Sequence, residues 1–471
     1  MPHDDLDLRL IARGAVTAPA GCGKTELIAR TLRRHDGPKP VLVLTHTNAG
    51  VAALRARFNR DGIPTQRYRL STIDGWAMRL IATFPMRSGH AAGILDLETP
   101  ATDYPAIRAA AVQLMHAGHV SDVVRGSYAH IIVDEYQDCS LPQHTLVCSL
   151  ADLVPTCVLG DPLQAIFGFR GNVLADWQHH VCAQFPIAVE LDIPWRWRNS
   201  GAEPLGVWLL DARRLLLTGQ AVDLSAAPAP FVTWVQTTPE DEHAQRLVAA
   251  QTMSPTPNGR VLILADSHSR PAQQQFASQT PGASTVEAVD LQDLTAFGRQ
   301  FNLASPVALT QLLTFGQSVM TNLGIAELTR RLNSLRGGRA RQPANAAEMA
   351  ALKFEAAPSW AAAGALLDAL HAQPHVRVFR PTILYGALRA LREAANGRTL
   401  TDAATRVREE GRVLGRVLPQ RAVGSTLLLK GLEAEVAVVL NPQAMNAAHL
   451  YVAMTRGSMR LVVCSPVAHV G

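Results

Sequence analysis

The chain has 471 residues, a hydrophobic fraction of 48%, a charged fraction of 18% and a formal net charge of +5. That length holds about two to four domains with sizeable cores, and the mild basic excess fits a polyanionic partner without establishing one. No apolar run reaches about 18 residues, which argues against a membrane-spanning helix, and the six cysteines contain no Cys-x-x-Cys pair, which argues against a disulfide framework and a zinc site.

The first residues, Met-Pro-His-Asp-Asp-Leu-Asp, lack the apolar core of a signal peptide, so a cytoplasmic location is expected. Residues 13–17 are short and apolar enough for a buried strand, and 25–32 place apolar residues at helical spacing. Between them runs Ala18-Pro-Ala20-Gly21-Cys22-Gly23-Lys24-Thr25. A small-residue loop between a strand and a helix cradles phosphates, because glycines let backbone N–H groups converge on anionic oxygens and the helix N-terminus adds partial positive charge. The expected binding set is Ala20, Gly21, Cys22, Gly23, Lys24, Thr25 and Glu26. Lys24 would reach the β- and γ-phosphates of a nucleoside triphosphate, and the Thr25 hydroxyl would ligate Mg²⁺. Ala18 replaces the first glycine of the strict pattern, a difference of one methyl group. Cys22 reads as a small filler.

Further strands are expected at 41–46, 130–134, 156–160 and 187–192, alternating with helices. That alternation implies a parallel sheet covered on both faces, with ligands at the C-terminal strand ends. Residues 77–128 interrupt it with a mostly helical insertion. The 130–134 strand ends in Asp134 and Glu135: Asp134 would hold Mg²⁺ through water, and Glu135 would orient or deprotonate the attacking water. Beyond Asn199, strands are expected at 231–236, 260–265 and 285–289, then helices over 291–420 with an exposed turn at 335–343. Strands return at 425–429, 436–440 and 460–464. The fold class is α/β, with two P-loop cores built on parallel sheets. The first core spans 1–76 and 129–190, with 77–128 inserted. The second spans 191–290 and 421–471, with 291–420 inserted.

The order of the remaining segments resembles superfamily 1A helicases of the UvrD/Rep type, whose cores are RecA-like. Leu44-Thr-His-Thr47-Asn48-Ala-Gly resembles a motif that touches the DNA strand. Ser71-Thr72-Ile-Asp74-Gly75 resembles a Thr-Phe-His-Gly motif with Asp in place of His. Asp134-Glu135-Tyr-Gln-Asp, then Gly160-Asp161-Pro-Leu-Gln164-Ala-Ile-Phe167-Gly-Phe169-Arg170-Gly171, match the next two. Trp195-Arg196, Lys430-Gly431-Leu-Glu433 and Tyr451-Val-Ala-Met-Thr455-Arg456 complete the series.

The resemblance implies roles residue by residue. ATP and Mg²⁺ are the cofactors. Gln164 senses the γ-phosphate, while Arg196 and Arg456 enter from the second core as arginine fingers, with Arg198 a competitor of Arg196. Gly431 and Glu433 serve the nucleotide, Glu433 accepting a hydrogen bond from its sugar. Thr47, Asn48, Thr72, Asp74, Phe167, Phe169 and Arg170 contact DNA. Phe167 and Phe169 are suited to stacking on unpaired bases, typically about 1–3 kcal/mol per base, with core packing the competing reading. The partners implied are single-stranded DNA and single-strand/duplex junctions, and the implied polarity is 3′→5′.

Three departures stand out. No Gln precedes Gln66 to read adenine, Leu427 occupies a position that is His in the family, and both insertions are short. Small size, the Asp-Gly motif and the close spacing of the last two motifs resemble the helicase-like subunit of the Gabija anti-phage system, which implies an OLD-family nuclease as partner. Competing readings are a stand-alone repair or phage replication helicase, an RNA helicase, and an ATP- and DNA-sensing subunit that activates a nuclease with little unwinding of its own.

Overall fold

The computed structural model describes residues 6–168, 173–265, 269–414 and 418–471. By their contacts the residues form two compact units: Met1–Val232 with Met445–Met459 and His469–Gly471, and Thr233–Ala444 with Arg460–Ala468.

The first unit is built on six strands: β1 (Arg13–Thr17), β2 (Val41–Thr45), β3 (Tyr68–Thr72), β4 (His130–Val133), β5 (Thr156–Gly160) and β6 (Ile187–Glu190). They pair in the order β3-β2-β4-β5-β1-β6, every pair parallel. Both sheet faces are buried, as parallel sheets require. Leu42, Leu44, Ile131, Val133 and Val158 point into one core with Trp76, Ile107 and Leu146. The alternate residues Val41, Val43, Ile132, Cys157 and Leu159 point into the other with Leu27, Ile28 and Phe58. This alternation explains why the strands read as near-continuous apolar runs. Strand β3 carries Arg69, Ser71 and Thr72 and lies at the sheet's edge, so its polar sequence does not announce a buried strand.

The first of these cores is closed by the insertion, whose helix Pro100–His116 packs beside the helix α3 (Ile73–Thr83) and whose helix Ser121–Ser127 adds Val124 to the core. Residues 77–128 are thus mostly helical.

The second unit has a six-stranded sheet in the order Ala283–Thr285, Arg421–Gly424, Val261–Leu264, Ala434–Val439, Gly457–Ser465, Val232–Gln236. The first four run parallel. Its long insertion is helical and holds its own core, around Leu312, Leu366, Leu367, Ile383 and Leu384. Thus each unit carries a parallel α/β sheet with a helical insertion, the two RecA-like cores expected.

Two strand expectations need correction. Residues 426–429 form a short helix, and the strand lies just before it at Arg421–Gly424. Ser425 makes the switch, because its hydroxyl accepts the Leu428 backbone N–H and starts a helical turn where apolarity alone suggests extension. The strand expected at 285–289 is Ala283–Thr285, opened by the left-handed Gly282 (φ 71°). Residues 191–232 and 445–459, assigned to the second core in the sequence-based division, pack with the first unit.

Candidate functional site

The C-terminal ends of β1, β4, β5 and β6 carry a continuous set of polar groups. Strand β1 runs into the loop 18–25, and the helix α1 (Lys24–Arg33) follows it directly. Gly21 (φ 71°) and Gly23 (φ 86°) hold left-handed conformations that favour glycine. A Cβ on Gly21 would also lie 2.5 Å from Cζ3 of Trp197.

Lys24 is the centre of the site. Its ammonium lies 3.0 Å from Asp134 Oδ1 and 2.5 Å from Glu135 Oε1, with only 14% of the side chain exposed. Burial acts to lower its pKa, but the two carboxylates outweigh it and hold the ammonium above its usual range. Burial pushes the Asp134 carboxyl up against the opposing pull of Lys24. Glu135 sits at φ 55°, a left-handed conformation that costs a non-glycine residue about 1–2 kcal/mol. Its backbone N–H donates to Asp134 Oδ1 (2.9 Å), and Gln137 Nε2 donates to its Oε2 (2.6 Å), so the turn is fixed from both sides.

Gln137 crosses the end of β5. Its Oε1 accepts the Asp161 N–H at 3.3 Å, and the crossing needs Gly160, where a Cβ would lie 2.7 Å from that oxygen. Asp161 caps the next turn by accepting the Leu163 N–H, and accepts Gln164 Nε2 at 3.0 Å. Arg213 donates to Asp161 at 3.0 Å and to Glu190, on β6, at 2.9 Å.

The helix Trp195–Asn199 brings Arg196 to the same place. The Arg196 backbone N–H donates to Gly21 O (3.0 Å), and its Nη1 donates to Thr455 O (2.7 Å). Arg198 pairs with Glu203 and lies over the Trp195 ring, while the Arg196 guanidinium lies over the Trp197 ring. Arg456 is 3% exposed and its Nε donates to Val452 O (2.8 Å). The Tyr451 hydroxyl accepts the Ala20 N–H from the loop 18–25 (3.3 Å). Both arginines therefore belong to the unit that holds the loop.

The other expected residues divide. Glu26 is ion-paired with Arg33 and Arg57. Burial, reinforced by Asp161, pushes the Cys22 thiol up to about 12, which suits an inert filler. Thr47 and Thr72 cap the helices α2 (Asn48–Arg60) and α3 by accepting the N–H groups of Gly50 and Gly75. Thr47 and Asn48 are exposed, and the adjacent His46 ring meets Phe167 at 5.9 Å, so two expected DNA-contact segments adjoin. Asp74 is gripped by Arg108 of the insertion (2.6 and 2.7 Å) and by Gln143 Nε2 (3.0 Å), partners that account for its charge without DNA. Gly431 (φ 80°) and Glu433 are exposed in the second unit, at the turn before the strand Ala434–Val439. Phe169 and Arg170 lie outside the described residues.

Sequence reading missed Arg213. The helix Glu203–Leu217 buries Leu205, Leu209, Ala212 and Leu216, and Arg213 falls on that same apolar face. A cation on a buried stripe needs a buried partner, and that is the signal that would have found it.

Hard oxygen donors from Thr25 and Asp134 suit Mg²⁺, which takes one or two protein ligands and completes its shell with water and phosphate. No helix among the described residues is long and apolar enough to cross a membrane.

The two sheets and the Lys24–Asp134–Glu135 constellation define a P-loop α/β protein. The UvrD/REP helicase N-terminal domain family matches residues 95–178, a stretch containing the Asp134–Asp138 run and the Asp161–Phe167 turn. The resemblance to UvrD-type helicases is thereby supported over that stretch. No curated protein matches the chain. Among solved structures, an arterivirus nonstructural protein 10 (helicase) in complex with DNA is 9% identical at TM-score 0.36, covering 97% of this chain and 62% of that one. The chain thus spans less than two thirds of that protein. Pif1 helicase from Candida albicans is 12% identical at TM-score 0.39, with coverage of 98% and 94%. The fold assignment rests on the two sheets rather than on these likenesses.

Proposed function

We propose that the chain is an ATP-dependent DNA translocase of UvrD type that moves 3′→5′ on single strands. The observation that carries this is Lys24 held between Asp134 and Glu135 at the mouth of a glycine loop. With nucleotide bound, Lys24 shifts its contacts to the phosphates and releases Glu135 to take a proton from the attacking water. Mg²⁺, when bound through Thr25 and Asp134, supplies charge neutralisation. Arg196 and Arg456 offset the charge that develops on the transferred phosphoryl group. The Thr47–Asn48 segment and the neighbouring Phe167 bind the strand, at single-strand/duplex junctions as well as on free single strands, with Thr72 nearby on the same sheet edge.

The test is the ATPase rate with no nucleic acid, single-stranded DNA, duplex or RNA. Single-stranded DNA should stimulate most, and Lys24→Ala should abolish turnover. Undiminished turnover in Lys24→Ala would overturn the site. A second reading, a nucleotide- and DNA-sensing subunit that controls an OLD-family nuclease in anti-phage defence, draws on Leu427. That side chain is 39% exposed where the resembled motif has a polar contact. It predicts slow turnover that leaves duplex intact.

A further inference from the structure

Asp161 is fully buried, and a buried carboxylate without a counter-charge is costly. Its counter-charge is Arg213, itself only 5% exposed, which comes from a helix outside every motif recognised in the sequence. Arg213 donates Nε to Asp161 and Nη1 to Glu190, tying the ends of β5 and β6 together. Burial works to lower the guanidinium pKa, and Asp161, together with Tyr451 and Glu190, outweighs it. With one oxygen of Asp161 taken by Arg213 and the Leu163 N–H, the other is left to accept Gln164 Nε2. The Asp161 N–H continues the path through Gln137 to Glu135. Three residues beyond Gln164 is Phe167, against His46.

We propose that Arg213 is a positioning residue of the nucleotide site: by neutralising Asp161 it fixes Gln164, and so links the attacking-water carboxylate Glu135 to the Phe167 segment that would hold a DNA strand. Arg213 touches neither nucleotide nor DNA. Its effect is on the coupling between them. The inference rests on the reading of the site as a DNA-stimulated ATPase.

The readout is the ratio of ATPase rate with and without single-stranded DNA, from which any loss of folded protein cancels. Arg213→Met should lower this ratio about tenfold, the loss of one charge-assisted hydrogen-bond contribution of roughly 1.4 kcal/mol, with the KM for ATP changed by less than about threefold. Because Arg213→Met strands a buried carboxylate and can unfold the chain, Arg213→Met with Asp161→Asn removes both charges and should show the same lowered ratio in a protein that melts normally. Arg213→Lys, which keeps the charge but not the fork, should recover part of it. An unchanged ratio in the double variant overturns the proposal, as does a KM rise that accounts for the whole loss. Wild-type protein without DNA-stimulated turnover overturns the functional reading and this proposal together. A stimulated wild type with unaltered Arg213 variants overturns this proposal alone.

Discussion

At the scale of single residues, the site is held by side chains whose partners dictate what each change should do. Arg196 lies against the loop 18–25 through its backbone and reaches Thr455 with its guanidinium. On its proposed role as an arginine finger, its replacement by Ala should lower kcat about 10³-fold while weakening ATP binding far less. Equal losses in single-turnover and binding assays would mark a merely structural arginine. Gly21→Ala places a methyl group at 2.5 Å from Trp197 on a backbone at φ 71°, so it should destabilise the chain by about 1–3 kcal/mol and weaken nucleotide binding. Urea melts followed by tryptophan fluorescence would measure this. His130, 2% exposed at the start of β4, is pulled down to about 4 from its ordinary 6.5, first by burial and then by Arg9 and His35, with Asp7 opposing. A histidine depressed in the folded state favours folding above its unfolded pKa. That contribution is lost as pH falls from about 6.5 to about 4, up to roughly 3 kcal/mol. His130→Leu should flatten the stability profile in that window, as read by melts at stepped pH.

At the scale of elements, legibility followed periodicity. The strands β1, β2, β4 and β5 bury both faces, so apolar runs sufficed to find them, and the chemistry at their C-terminal ends came with them. The edge strand β3 and the helix at Thr426–Leu429 were missed for opposite reasons: one is too polar to look buried, the other too apolar to look like a turn. The loop 18–25 and the strand-tip residues were legible as neighbours because their geometry is local. Asp74 was not, because its partner Arg108 lies in the insertion, whose helices carry no signature. This half-buried bidentate pair fastens the helix Pro100–His116 to α3. A double-mutant cycle of Asp74→Asn and Arg108→Gln should show a coupling of about 1–2 kcal/mol in chemical denaturation. Near-additive losses would mean that the pair contributes nothing beyond its separate members.

At the scale of the whole molecule, net charge +5 is modest, so DNA binding should come from a local groove rather than a general field. The logarithm of affinity for single strands should fall linearly with the logarithm of salt, losing about 0.7 per phosphate neutralised. Titrations at several ionic strengths test this, and salt-independent binding would count against phosphate contacts. The bond from Ala20 to Tyr451 spans 431 positions of sequence. At about 5–20 residues per second of synthesis, the loop 18–25 emerges roughly 20–90 s before the tyrosine that ties it down. Until then Trp197 lacks the Gly457 carbonyl that receives its indole N–H. A ribosome-bound chain therefore carries a recognisable but untethered candidate nucleotide loop until the segment around Tyr451 has been made.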